Sequence, residues 1–197
     1  VRPDTRLEWT VRGFTKQLRN AVANLTLVNG PGTFPGWGSL AAGASGARRE
    51  NVDRVEIAGA ETRLEWKWTK EWSVVANWLG TYSRVRECRL SPDLTGKALP
   101  QMPATQIGAQ LHGAQGPWHG MVGVRHVGKQ FEDDSNRFSL RLFWTVDARL
   151  GCSLGTRSEV FISGENLANA QIQTRRDTSG ASASSFERTR LRQKSHG

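Results

Sequence analysis

Along much of this chain apolar and polar residues take turns one for one, the period-2 signature of a strand with two unlike faces. No stretch keeps the i, i+3, i+4, i+7 stripe of an amphipathic helix. Leu7, Trp9 and Val11 alternate with Arg6, Glu8, Thr10 and Arg12. Thr62, Leu64, Trp66 and Trp68 alternate with Glu61, Arg63, Glu65 and Lys67, so that charge fills one face completely. Further spans follow at Trp72 to Leu79, Gln106 to His112, Trp118 to Arg125, Phe138 to Cys152 and Glu159 to Glu165. The pattern predicts an all-β protein of about seven or eight antiparallel strands.

The links between these spans alternate in length. Thr69 to Glu71, Gly113 to Pro117 and Leu154 to Ser158 are tight turns, whereas Asn29 to Arg49, Arg86 to Met102, Gln130 to Arg137 and the segment from Asn169 onward are long. Short turns on one side and long loops on the other are the rule for outer-membrane barrels. A soluble meander has no reason to sort its links this way. A sandwich strand would also alternate, but its exposed face would seldom be charged as uniformly as Glu61 to Lys67. Tryptophan placement points the same way: Trp66, Trp68, Trp72 and Trp118 adjoin the short turns and Trp9 begins the first strand, as in an interfacial girdle.

Composition narrows the choice. Hydrophobic residues make up 37% of the 197 residues, and the longest near-continuous apolar stretch is Val74 to Leu79, with Asn77 inside it. That is far short of the roughly 18 residues a spanning helix needs. Mean hydropathy is -0.52, which barrel strands tolerate because only alternate residues face lipid. The net charge of +9 is uneven. Beyond Thr174, Arg175, Arg176, Arg188, Arg190, Arg192 and Lys194 stand against Asp177 and Glu187, giving +4 in this tail alone. A basic β-sheet that binds nucleic acid is therefore the alternative function, but most tryptophans lie on apolar faces without interleaved basic residues. The chain begins at Val1 without a leader and reads as part of something longer.

Particular segments resemble the C-terminal barrel half of TonB-dependent outer-membrane receptors. NVDRVEIAGAETRLEWKW (Asn51 to Trp68) resembles an asparagine-led strand passing through a G-x-E step into an alternating span. LTGKALPQMP (Leu94 to Pro103), VRHVGKQFEDDSN (Val124 to Asn136), VDARLG (Val146 to Gly151) and VFISGENLAN (Val160 to Asn169) follow in the family's order. The resemblance implies an open, curved sheet from a larger barrel of about 22 strands in the outer membrane of a Gram-negative bacterium. It further implies active uptake of a scarce nutrient, such as a ferric siderophore, cobalamin, haem or a glycan. Expected partners are outer-membrane lipid, the small nutrient ligand, and the TonB complex engaged through a plug domain; nucleic acid is not expected. Residues 1–173 are read as partial barrel and 174–197 as an atypical basic tail, disordered or a degenerate last strand, without the terminal aromatic usual in the family.

Several residue clusters carry candidate chemistry. Glu132, Asp133 and Asp134 group hard oxygen ligands that suit calcium, but without the D-x-D-x-D-G spacing a solvated loop is the plainer reading. His112, His119 and His126 are spread over two strands and a turn, and Cys88 and Cys152 lie at opposite ends of strands and are not expected to pair. Glu61, Arg63, Glu65, Lys67, Arg125, Asp147 and Arg149 are read as a charge ladder lining the lumen. No nucleophile sits beside a base in a recognisable motif, so no catalytic, cofactor or metal residue is assigned, the protein is not expected to be an enzyme, and the substrate-binding residues stay open.

Overall fold

The computed structural model describes residues 6–176, 182–185 and 192–195. One open antiparallel sheet dominates it, formed by β1 (Arg6–Asn29), β2 (Ser45–Lys67), β3 (Trp72–Glu87), β4 (Thr105–Gln115), β5 (Trp118–Val127), β6 (Phe143–Leu154) and β7 (Ser158–Gly164). Each strand pairs with the next in chain order, and a short β8 (Arg192–Ser195) pairs with β7. The rest of the 174–197 tail that is described is the pairing of Ile172–Arg176 with Ser182–Ser185; its other residues lie outside the described ones. Among the described residues no helix is long and apolar enough to cross a membrane.

Register aligns the predicted faces across the whole sheet. Leu7, Trp66, Val74, Leu111, Val122 and Ala148 stand side by side on six successive strands. On the reverse, Thr10, Arg63, Asn77, Gly108, Arg125 and Thr145 do the same. Among the described residues no second layer covers the apolar face: Leu7 is 63% exposed, Val122 49% and Ile162 51%. A soluble sheet could not leave so wide an apolar surface uncovered.

The tight turns have local causes. At Thr69 the hydroxyl accepts hydrogen bonds from the backbone N–H of Glu71 and Trp72, closing the turn between β2 and β3. Gly116 adopts φ +58° between β4 and β5, where a side chain would strain a two-residue turn.

Two expectations need correction. β1 and β2 run for 24 and 23 residues, roughly 80 Å, whereas a spanning strand needs only about 9–11. The Asn29 to Arg49 loop is accordingly shorter than predicted and carries its own hairpin, Gly32–Phe34 with Gly38–Leu40. Nor does β6 begin near Phe138; residues 138–142 belong to the preceding loop, where Ser139–Leu140 pairs with Gln130–Phe131 and Leu140 is fully buried.

The overlong ribbon switches faces. Leu18 and Leu25 pack on one cluster, as do Val52 and Val55, although the two members of each pair are an odd number of positions apart. Strict alternation forbids this. Asn20, at φ +53°, lies between Leu18 and Leu25, and its left-handed backbone supplies the missing half-period on β1; between Val52 and Val55 the register of β2 against β3 shifts. Above Asn20 the odd residues of β1 therefore turn toward the loops, against Val85, Cys88 and Leu94.

Candidate functional site

The long loops gather at one end of the sheet and are stitched together there. Asn136 clamps the neighbouring loop: its side-chain carbonyl accepts the Ala98 N–H at 2.8 Å, and its amide donates to the Ala98 carbonyl at 2.9 Å. The Gln101 N–H donates to the Phe131 carbonyl at 2.7 Å. From β1, the Thr26 N–H donates to Asp134 at 2.6 Å. These ties enclose a hollow of about 470 Å³. Leu25, Val52, Val85 and Leu99 give it an apolar wall, and Gln101 and Glu132 are among its polar lining. A cavity of this size, with an apolar wall facing a polar and acidic one, has room for a small ligand.

Beside the hollow, Asp53 accepts the Arg89 backbone N–H at 2.7 Å and its guanidinium at 2.8 Å. This Arg89 contact holds the Asp53 carboxyl below the usual carboxylate range, and the same pairing raises the Arg89 guanidinium. Nearby, Arg86 bonds Glu56 at 2.5 Å.

The predicted clusters separate under this geometry. Asp133 is neither a metal ligand nor a freely solvated acid; it accepts the Phe138 N–H at 2.7 Å and pairs with Arg137, and Asp134 is held by Thr26. Among the described residues no group of three or more His, Cys, Asp or Glu could hold a metal. The histidines do not converge: His112 bonds Gln110, His119 bonds Glu159, and His126 stacks on Trp144 with ring centroids 4.3 Å apart. Cys88 and Cys152 are free.

The seven charge-ladder residues fall on the polar face; Arg63 and Glu65 pair with each other along one strand, Glu61 pairs with Arg12 and Arg149 with Glu159 across neighbouring strands, and Asp147 accepts the Asn166 N–H. In the same register opposite charges meet at Arg12 and Glu61 and like charges at Glu8 and Glu65.

Aromatic residues form two belts on the apolar face. At the short-turn end, Trp66 and Trp68 lie 5.3 Å apart and Trp68 stacks on Trp72 at 6.3 Å. Toward the loops stand Trp78, Tyr82 and Trp144, all exposed. From Trp72 to Tyr82 is about 33 Å along β3, which a tilt near 45° reduces to about 23 Å, close to the apolar band of an outer-membrane barrel. Trp9 and Trp78 each give their indole N–H to a threonine hydroxyl, Thr62 and Thr105.

A family model described as TonB dependent receptor-like, beta-barrel, matches residues 1–167. The chain belongs to the TonB-dependent receptors. It is therefore part of an outer-membrane β-barrel, and this family consists of transport receptors rather than enzymes. No curated protein matches it. Solved structures of similar fold include the siderophore receptor PiuA from Acinetobacter baumannii, 14% identical with a TM-score of 0.71, covering 94% of this chain and 25% of that one. The ferric-catecholate import receptor Fiu from E. coli K12 is 17% identical at a TM-score of 0.67, covering 94% and 24%. The pyoverdine outer membrane receptor FpvA from Pseudomonas aeruginosa PAO1, bound to pyoverdine, is 17% identical at 0.64, covering 94% and 26%. The chain thus spans about a quarter of the length of these receptors.

The stitched loops and the small core beneath them were not anticipated from the sequence. A signal was present at Val85 and Leu94, single apolar residues in the polar segments Ser83 to Glu87 and Ser91 to Lys97.

Proposed function

We propose that this chain supplies wall strands and outward loops of an active-uptake receptor for a scarce nutrient, energised through TonB by way of a plug domain. Within that reading the apolar face meets outer-membrane lipid, the polar face lines the lumen, and the stitched loops form part of the ligand vestibule. The observation that carries it is the match of a TonB-dependent barrel over residues 1–167 to a sheet with one uncovered apolar face between two aromatic belts. The structural neighbours' own ligands, siderophores among them, support a metal chelate as the class of cargo, with cobalamin, haem and glycans as the further candidates.

The test is transport in a Gram-negative host lacking its own receptors, with the complete reading frame that encodes this chain restored. Accumulation of labelled ferric siderophore, cobalamin, haem or oligosaccharide should depend on that reading frame and vanish when tonB is deleted. Uptake that persists unchanged without TonB would sink the proposal.

A further inference from the structure

The loop-side end of the apolar face carries an unresolved electrostatic problem. Arg19 on β1 stands directly opposite Arg54 on β2, both exposed, and like charges in directly opposed positions repel. Among the described residues neither has an ion pair at salt-bridge distance. Two rows toward the membrane, Tyr82 is 47% exposed with the Arg84 guanidinium 4.8 Å from its ring centroid. Arg84 stands opposite Glu56, but that carboxylate is already engaged by Arg86. Glu87, opposite Arg54, lies 4.0 Å from Arg89, and Arg89 is in turn held by Asp53. Around Arg19, Arg54 and Arg84 the two nearest carboxylates, Glu56 and Glu87, are thus already paired with Arg86 and Arg89.

Position decides what could resolve this excess. Arg19, Arg54 and Arg84 continue the apolar face below the Asn20 switch, on the same side as Tyr82, Trp78 and Trp72. One row of a tilted strand rises about 5 Å, so Arg84 sits about 5 Å and the Arg19–Arg54 pair about 10 Å beyond the Tyr82 belt. The headgroup zone of a bilayer adds about 5–8 Å on each side of the hydrocarbon core, so Arg84 falls within it and the Arg19–Arg54 pair stands at its outer edge. Guanidinium groups grip phosphate oxygens through paired N–H donors, and a phosphate between Arg19 and Arg54 would turn their repulsion into two charge-assisted contacts.

We propose that Arg19, Arg54 and Arg84 form a clasp for the phosphate of an anionic outer-leaflet lipid headgroup. The inference rests on the outward, lipid-facing placement of the apolar face proposed above. It does not depend on the nutrient carried.

The test uses the complete receptor, folded and held in nanodiscs, with lipid A as the phosphate-bearing probe and phosphatidylcholine as the surrounding lipid. Retained lipid A is counted on the intact protein by native mass spectrometry. Wild type should hold lipid A through washing, and the Arg19→Gln/Arg54→Gln variant should lose about tenfold in apparent affinity. Arg48→Gln, above the switch on the same hairpin, is the control and should retain lipid A as wild type does. Equal retention by the double variant and wild type would overturn the clasp, as would full displacement of lipid A by excess inorganic phosphate, which would assign the site to free anion. Lipid retention does not require transport, so failure of the uptake assay would leave this readout standing.

Discussion

Replacing Val122 by arginine puts a charge midway between the two aromatic belts. Val122 lies four residues along β5 from Trp118 and four from His126, which pairs with Trp144. At about 3.3 Å per residue and a tilt near 45°, each belt is about 9 Å away, too far for the guanidinium to reach water without distorting the bilayer. Arginine at the midplane of a barrel wall costs about 2–4 kcal/mol. That is about 30- to 900-fold in the folding equilibrium. Gln110→Arg serves as the internal comparison, because Gln110 is at nearly the same height, opposite Val75 and Gly123, but on the polar face. It should cost less than about 1 kcal/mol, in line with a solvated surface site. Both would be measured on the complete receptor in lipid vesicles, by urea titration of the heat-modifiable folded band. A soluble packing would give a different order: if Gln110→Arg is as costly as Val122→Arg, or Val122→Arg costs under about 1 kcal/mol, the apolar face does not meet acyl chains.

Three further predictions concern the outward end. Leu25, 2% exposed, anchors the loop core, and Leu25→Ala should cost about 2–5 kcal/mol locally, seen as faster proteolysis within residues 88–104 while the barrel band stays folded. Asn20→Val should cost about 1–3 kcal/mol because a β-branched residue resists φ +53°, whereas Asn20→Gly should be tolerated; hydrogen exchange across residues 18–25 separates the two. Asp53 has its carboxyl lowered by Arg89, so its contribution is complete above the ordinary value of 3.8 and is lost as pH falls through the depressed folded value. Protection of the Arg89 amide should therefore persist below pH 3.8 in wild type and be weakened at every pH in Asp53→Asn.

The wall was legible because each spanning strand has two environments and the sequence writes them alternately. Leu64 and Trp66 against Arg63 and Glu65 needed no structure to be sorted, and the alternation of short and long links then fixed the meander. The outward half was not legible, since period 2 is broken there. Leu18 and Leu25 face the same cluster seven residues apart, a spacing that reads as noise unless the left-handed Asn20 is known. Asparagine tolerates that conformation but does not announce it. The acidic triad was misread for a related reason: Asp133 and Asp134 take backbone donors from Phe138 and Thr26, and the second of these is 108 residues away in sequence.

The face switch also explains why two strands can be so much longer than the membrane is thick. A ribbon that kept one face apolar for 24 residues would carry greasy surface far beyond the bilayer, where it would invite aggregation. By reversing near Asn20, the hairpin turns Ala23, Leu25 and Val52 onto the loops and leaves Asn24, Arg48 and Arg49 exposed. The outer half then has its own small core, with Leu94 and Cys88 supplied by the neighbouring loop. Loops fastened to such a core lose less conformational freedom when they close on a ligand than free loops would. Under the proposed uptake function, a vestibule built on rigid strand extensions would hold its shape above the wall, and that shape, not the wall beneath, would be where differences in cargo between receptors of this fold have room to arise.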